Sequence, residues 1–405
     1  MRDALADTIT ADWHKILDAA ESARVVKAHH ADLLREALVA TTGGRRRSEF
    51  YAAYFAVLDA FAAKDRKRAT RTVLGLGNVL LEDAAEGRVK TPIPVTRSAD
   101  SGRVRLPAAS PGFVWTPAKD TTVLDADVIG DARRTILDAV STTWIAGAED
   151  GIRLRSETDA IRAEIAKYGD RTRKISRLDP ALAVVSGEEV EPARTLAARY
   201  GAGLSLIEQV LPEQAAEIKA LTEYVVALRG RHFVGGSDIV LFGASYLRLE
   251  ADWTPLCFAD HLTHEATHQL LHAKQELHPL LLNRDEAGLA SPIRSDPRPL
   301  YGTYHATFVF LRLACLMAAV LRSSATQWHE EARIRFHRHL LGLLQGLTII
   351  SDHGRHTPEG RRELDCWIET ARELVRLEGR PSPKLYNRLD WDYDPPNGAL
   401  PLFPI

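Results

Sequence analysis

Four histidines and one glutamate with helical spacing are the residues best suited to do chemistry. His264, Glu265 and His268 form the pattern His-Glu-x-x-His, and His261 and His272 extend it by three and four residues. On a helix, positions i and i+4 project from one face about one turn apart, so two imidazoles can hold a single metal ion. Glu265 lies beside them, where a carboxylate orients a ligand or transfers a proton. We interpret His261 and His272 as neighbours of this site and not as ligands.

A catalytic metal ion needs a third protein ligand, with positions left open for water or substrate. The extended zinc-peptidase motif would place Gly at position 271 and His at position 274, but the chain has Leu271 and Lys274 there. His305 lies 37 residues after His268 (305 − 268), in the second turn of a predicted apolar helix. An antiparallel neighbouring helix would bring this imidazole back to face the pair. His305 is therefore the preferred third ligand.

A second motif leads into His305, because residues 296–305 read Asp-Pro-Arg-Pro-Leu-Tyr-Gly-Thr-Tyr-His. With His-Glu-x-x-His upstream, it resembles the HExxH-type α-ketoglutarate-dependent peptide β-hydroxylases, which accompany ribosomally made, post-translationally modified peptide pathways. The resemblance covers residues 236–321. It implies a mononuclear non-haem Fe(II) enzyme that hydroxylates a β-carbon of a precursor peptide, with α-ketoglutarate and O₂ as co-substrates. His264, His268 and His305 carry over as iron ligands, and Glu265 belongs to the motif.

Two sets of protein ligands are consistent with the sequence: three imidazoles, or two imidazoles and one carboxylate. An iron oxygenase needs three protein ligands on one face and free positions for the keto acid and O₂. Three imidazoles meet this need, although the commoner set is two His and one carboxylate. If His305 does not bind, the carboxylate must come from Glu265 or from the loop-like segment that carries Asp285 and Glu286.

The distal carboxylate of the keto acid needs a cationic partner. Arginine suits this role because its guanidinium binds carboxylates in a bidentate manner. Arg298 and Arg294 precede the predicted His305 helix and are the nearest candidates. Each also has a structural alternative, since an arginine before a helix often only pairs with an acid such as Asp296.

Two other classes of function compete with the hydroxylase. In a zinc metallopeptidase, Glu265 would be the general base and the metal would polarise the scissile carbonyl. The missing extended motif argues against it. A helical partner protein with a structural metal site is the third hypothesis, and the intact His-Glu-x-x-His pattern argues against that one.

Composition sets the outer limits. The 405 residues are 45% hydrophobic and 26% charged, the ordinary balance of a globular protein. A net charge of −2 gives no electrostatic reason to expect a nucleic acid or an anionic membrane as partner. Three isolated cysteines and an N-terminus without a long apolar run indicate reduced thiols and a cytoplasmic protein. The apolar segment 304–321 is interrupted by His305 and Arg312, so we expect a buried helix and no membrane span.

The chain predicts a mainly α fold with a small β component, in which a metal site lies between two core helices. Helical periodicity is expected at 11–40, 48–83, 125–175 and 191–228, with a break near Pro212, and a strand or hairpin bent at Gly243 at 239–249. Further helices are expected at about 257–274, after Pro299, at 325–349 and at 358–377. We divide the chain into an N-terminal helical region, a Pro-rich loop and strand insertion, a second helical region, the metal-site core and an extended arm, at 1–88, 89–124, 125–234, 235–380 and 381–405.

Overall fold

The computed structural model describes most of residues 1–95 and 193–382, shorter pieces between these two ranges, and residues 400–405. The described residues are 1–41, 48–95, 104, 123–124, 129, 143–144, 152–154, 161, 165–166, 183–184, 193–229, 234–248, 252–292, 297–382 and 400–405. Within them the protein is mainly helical, with ten α-helices and a small sheet component. The mainly α fold class is confirmed.

The N-terminal region has four helices where two long ones were expected. They are α1 (Arg2–Ser22), α2 (Ala28–Ala40), α3 (Ser48–Ala62) and α4 (Arg66–Ala85). Arg24 and Lys64, at the two breaks, have φ angles of 55° and 53°. These left-handed conformations end a right-handed helix and turn the chain back. The prediction of helices at 11–40 and 48–83 was therefore correct, but each range contains two helices instead of one.

The described strands form two sheets, and the helix that contains His264 and His268 packs against the larger one. They are β1 (Ile93–Pro94), β2 (Val123–Leu124), β3 (Thr143–Trp144), β4 (Arg153–Leu154), β5 (Ala183–Val184), β6 (Tyr224–Arg229), β7 (Gly235–Gly236) and β8 (Ala244–Arg248). β1 pairs with β2, the larger sheet runs β3-β4-β6-β8-β7, and β5 also pairs with β6. β6 is parallel to both β4 and β8, whereas β7 is antiparallel to β8.

Three stretches correct the sequence prediction. Strands β3 and β4 lie inside 125–175, which was expected to be helical, and β6 replaces the end of the helix expected at 191–228. The described side chains of β6 are buried on both faces, and its Tyr-Val-Val start favours extended backbone over helix. Residues 239–241 form a short 3-10 helix and not a strand. The bend at Gly243 is confirmed, with a φ of 95°.

Six further helices are described: α5 (Ala193–Val210), α6 (Pro212–Leu221), α7 (Pro255–Leu277), α8 (Leu300–Leu321), α9 (His329–His353) and α10 (Pro358–Glu378). Pro212 begins α6, which confirms the expected break. Thr254 and Thr357 cap α7 and α10, because their side chains accept the backbone N–H groups of Cys257 and Gly360. The four C-terminal helices were thus predicted to within a few residues.

Helix α8 is the centre of the C-terminal core. It is long and apolar enough to cross a membrane by length and composition, but 78% of its most apolar 18-residue stretch is buried inside the protein. It packs against α7 on one side and against α9 and α10 on the others. Most of the predicted Pro-rich insertion and of the C-terminal arm lies outside the described residues. At the end of the chain, Phe403 N–H donates to the Leu344 carbonyl on α9.

Candidate metal centre

Helix α7 carries the His-Glu-x-x-His motif and is fastened to the sheet behind it. Gln269, next to His268, accepts the Gly243 N–H through Oε1 at 3.1 Å and donates from Nε2 to the Ala244 carbonyl at 2.9 Å. Gln269 is buried, so these bonds are shielded from water. They fix the face of α7 that is turned away from the motif histidines.

A buried charged network fastens α7 to α9. Asp260 Oδ2 accepts from Arg335 Nη1 at 3.1 Å and from His339 Nε2 at 2.9 Å. Arg335 Nε also donates to Glu331 Oε1 at 2.8 Å. Burial alone raises the pKa of the Asp260 carboxyl, but His339 and then Arg335 outweigh it, so the net pKa is lowered and the group is a carboxylate.

His264 and His268 are placed as two ligands of one metal ion would be. Their Nε2 atoms are 3.2 Å apart, and the ring centroids are 4.9 Å apart. Two nitrogens that each lie about 2.1 Å from one ion, at tetrahedral or octahedral angles, are about 3.0–3.4 Å apart. Both residues are half-buried. This pair fits a metal ion.

His305 comes from the facing helix α8 and contacts His268, one member of the pair. Its Nδ1 is 3.2 Å from Nδ1 of His268, and its Nε2 is 2.9 Å from Oε1 of Gln275. It therefore meets the side of the His268 ring that is opposite to Nε2. Among the described residues, no group of three or more His, Cys, Asp or Glu side chains is arranged to hold a metal ion. The structure thus brings the three predicted imidazoles together. The Nε2 atoms of His264 and His268 face each other, whereas His305 contacts His268 through Nδ1.

Burial keeps these histidines neutral, which is the form that binds metals. It lowers the pKa of His264 to about 3, with His268 adding to the effect. The pKa of His268 is likewise lowered to about 3 by burial and then by His272. For His305, burial and the two histidines beside it, His272 and His268, hold the pKa well below its ordinary value.

The stripe continues past the motif toward solvent. His272 Nδ1 is 3.0 Å from the Tyr301 hydroxyl, and the Tyr301 ring centroid is 4.2 Å from that of His305. The guanidinium of Arg284 lies 4.4 Å over the Tyr301 ring. Its backbone carbonyl accepts the Tyr301 N–H at 2.8 Å, so the loop that carries it is joined to the start of α8. At the other end of the stripe, His261 is buried and stacks on Trp253 at 4.3 Å.

Glu265 points into the junction between α7 and β7. Its Oε2 accepts from Ser237 Oγ at 2.8 Å, and its Oε1 is 4.0 Å from His264 Nε2, too far for a direct hydrogen bond. Burial raises the pKa of Glu265 to about 8, and the bond from Ser237 opposes part of that rise. A side chain at position 235 would collide with this carboxylate, because a Cβ added to Gly235 would lie 2.4 Å from Oε1.

Gly235→Ala should therefore destabilise the protein by about 1–3 kcal/mol, the usual cost of inserting a methyl group into a packed interior. Glu265 cannot withdraw easily, since it is buried and bonded to Ser237. Urea unfolding monitored by circular dichroism measures the effect. Gly75→Ala is the matched control: nothing lies within 4 Å of its added Cβ, and it is in helix α4, so its stability should stay level or rise. Equal behaviour of the two variants would contradict the packing described here.

The remaining predicted site residues lie around this centre. Arg298 is half-buried and forms a backbone bridge with Leu289 just before α8. Arg294 lies outside the described residues. Asp285 is on the surface, with its side chain 93% exposed and Arg284 at 3.8 Å, and Glu286 accepts from Asn283 Nδ2 at 2.6 Å. Neither loop acid is part of the histidine group as the structure describes it.

Sequence reasoning missed Gln275 and Ser237. Gln275 continues the histidine stripe, since it lies three residues after His272 and seven after His268. Extending the stripe by one more turn would have found it. Ser237 contacts Glu265 only because β7 runs beside α7, and no local pattern announces that pairing.

Comparison of the chain with models of known protein families gives no match, and comparison with curated proteins gives no significant match.

Proposed function

We propose that the protein is an Fe(II)- and α-ketoglutarate-dependent dioxygenase that hydroxylates a β-carbon of a residue in a ribosomally made peptide. One observation carries the proposal: the Nε2 atoms of His264 and His268 lie 3.2 Å apart, with the ring of His305 against His268 from the facing helix. The Asp-Pro-Arg-Pro-Leu-x-Gly-x-x-His motif that ends at His305 supports iron and a keto acid through the resemblance to the peptide hydroxylases.

In this proposal His264 and His268 hold the metal. His305 completes the set as third ligand if binding of the ion draws its Nδ1 away from His268 Nδ1, since its Nε2 faces Gln275. Fe(II) with α-ketoglutarate and O₂ supplies the oxidation that replaces a C–H bond by C–OH. The side chain of His264 is 27% exposed, which leaves one side of the pair accessible to a peptide. Arg284, over the Tyr301 ring, joins Arg294 and Arg298 as a candidate partner for the distal carboxylate of the keto acid.

A zinc metallopeptidase is the second candidate, and the position of Glu265 favours it. Its Oε1 is 4.0 Å from His264 Nε2, close enough to serve a water molecule between the carboxylate and the pair. Glu265 would then be the general base for the attack on a peptide bond. In the hydroxylase, the same carboxylate would anchor β7 through Ser237 and take no part in the chemistry.

Anaerobic loading separates the two candidates. The purified protein is mixed with Fe(II) and α-ketoglutarate, and the weak visible metal-to-ligand charge-transfer band is recorded. The hydroxylase predicts the band, and it predicts a mass gain of one oxygen on a bound peptide after O₂ is admitted. Stoichiometric, tightly held zinc together with peptide cleavage and no band would overturn it.

His305→Ala tests the third ligand in the same assay. If His305 binds the metal, the band should be lost, because a two-imidazole site lacks a ligand that the iron needs. His337→Ala on α9 is a control, since His337 receives the Ser382 N–H and lies outside the histidine group. An unchanged band in His305→Ala would return this residue to the class of core histidines.

A further inference from the structure

We infer that Gln275 is a positioning residue that sets the protonated nitrogen of His305 and, through it, that of His268. The inference rests on His264 and His268 as the proposed metal pair, because its consequence is the presentation of the His268 Nε2 lone pair beside His264. It describes the metal-free protein, in which both nitrogens of His305 are engaged, by Gln275 and by His268. Gln275 lies on the last turns of α7, outside the His-Glu-x-x-His motif.

The first step is the contact with His305. Gln275 Oε1 is 2.9 Å from His305 Nε2, a good hydrogen-bond distance. A carbonyl oxygen only accepts, so Nε2 of this imidazole must carry the hydrogen. A neutral imidazole has one N–H, and its Nδ1 is then left with a free lone pair.

The second step passes from His305 to His268. Their Nδ1 atoms are 3.2 Å apart, and a bare Nδ1 on His305 can only accept. His268 therefore carries its hydrogen on Nδ1 and leaves Nε2 bare. This is the nitrogen that lies 3.2 Å from His264 Nε2. One amide oxygen thus decides that Nε2 is the nitrogen of His268 available to a metal, while both nitrogens of His305 are engaged.

Packing fixes the two contacts, from Gln275 to His305 and from His305 to His268. The His305 side chain is 4% exposed, and the rings of Tyr301 and His272 lie 4.2 and 4.7 Å from it. The ring cannot turn over without displacing these neighbours. An acceptor on the outer nitrogen also makes an imidazole more basic, as the outer partners of metal-binding histidines commonly do.

Replacement of Gln275 by two residues of similar length tests the inference. Gln275→Met removes the acceptor, and Gln275→Glu keeps an acceptor that is stronger. Co(II) is titrated into the metal-free full-length protein and followed by its visible absorption. We expect Gln275→Met to bind Co(II) about 10- to 100-fold more weakly and Gln275→Glu to bind it at least as tightly as the wild type. Gln327→Met, at an exposed position, should bind as the wild type does.

A second readout does not depend on metal binding. Imidazole ¹⁵N shifts of the metal-free protein report the tautomer of each ring, and His305 should carry its hydrogen on Nε2 and His268 on Nδ1. In Gln275→Met these assignments should be lost while the circular dichroism spectrum stays unchanged. Wild-type tautomers in Gln275→Met would overturn the inference, and so would equal weakening by Met and Glu. If the wild type binds no Co(II) at all, the proposed function fails, and the nitrogen shifts still decide the role of Gln275.

Discussion

His268→Ala is expected to weaken Co(II) or Fe(II) binding by about 100-fold or more and to abolish the charge-transfer band with α-ketoglutarate. This imidazole is the central member of the group, since Nε2 faces His264 and Nδ1 faces His305. Its loss removes one proposed ligand and also ends the contact that joins the pair to α8. Metal titration by visible absorption measures the affinity directly.

The loss must be separated from unfolding. His278→Ala is the matched control, because His278 ends the same helix and is exposed. It should leave both the metal affinity and the band unchanged. Thermal unfolding of the metal-free His268→Ala protein should show a single transition like that of the wild type. Wild-type affinity in a folded His268→Ala variant would exclude the pair as the metal site.

Asp260→Ala is expected to destabilise the protein by about 3–5 kcal/mol, because the buried side chains of Arg335 and His339 lose the carboxylate that they share. Arg335 and Asp260 have side chains that are 8% and 3% exposed, so water cannot replace the lost partner. The change is measured by urea unfolding at neutral pH. Asp365→Ala in the surface pair Arg361–Asp365 is the control and should have little effect, since both of those side chains are more than half exposed.

The same network predicts how stability depends on pH. The folded-state pKa of Asp260 is lowered, so its contribution is complete above the unfolded pKa of about 3.9. It is lost as the pH falls from there through the lower folded pKa. The wild type should therefore lose stability more steeply than Asp260→Asn below about pH 4. Parallel curves for the two proteins, from urea unfolding across this range, would contradict a carboxylate with a lowered pKa at this position.

The sequence predicted the C-terminal helices well because their ends carry local signals. The Thr-Pro starts of α7 and α10 are visible in the sequence, and the side chains of Thr254 and Thr357 make the caps. The breaks at Arg24 and Lys64 have no such mark, because neither residue is the glycine or asparagine that usually takes a left-handed conformation. Strand β6 was missed because a short apolar run without alternation is not distinguishable from a buried helix.

Some residues of the candidate site were also predictable from the sequence, and others were not. The i, i+4 spacing placed His264 and His268 on one face, and the structure has their nitrogens side by side. His305 was expected to return opposite the pair, and its ring does meet His268, while its role as a ligand stays a prediction. Gln275 could have been found by extending the stripe by one more turn, whereas Ser237 depends on a contact between elements that no spacing rule describes.

Helix α7 is joined to its surroundings on three sides, by Gln269 to the sheet, by Asp260 to α9 and by the Gln275–His305 contact to α8. The direction in which its histidines point is therefore set by the protein interior. In small zinc domains the metal organises the chain and is part of the folding free energy. Here the contacts that orient α7 come from the protein itself, so for the proposed metal site we expect loading to be a late and separable event. We expect the chain to fold without an ion and to keep its shape when a bound ion is removed.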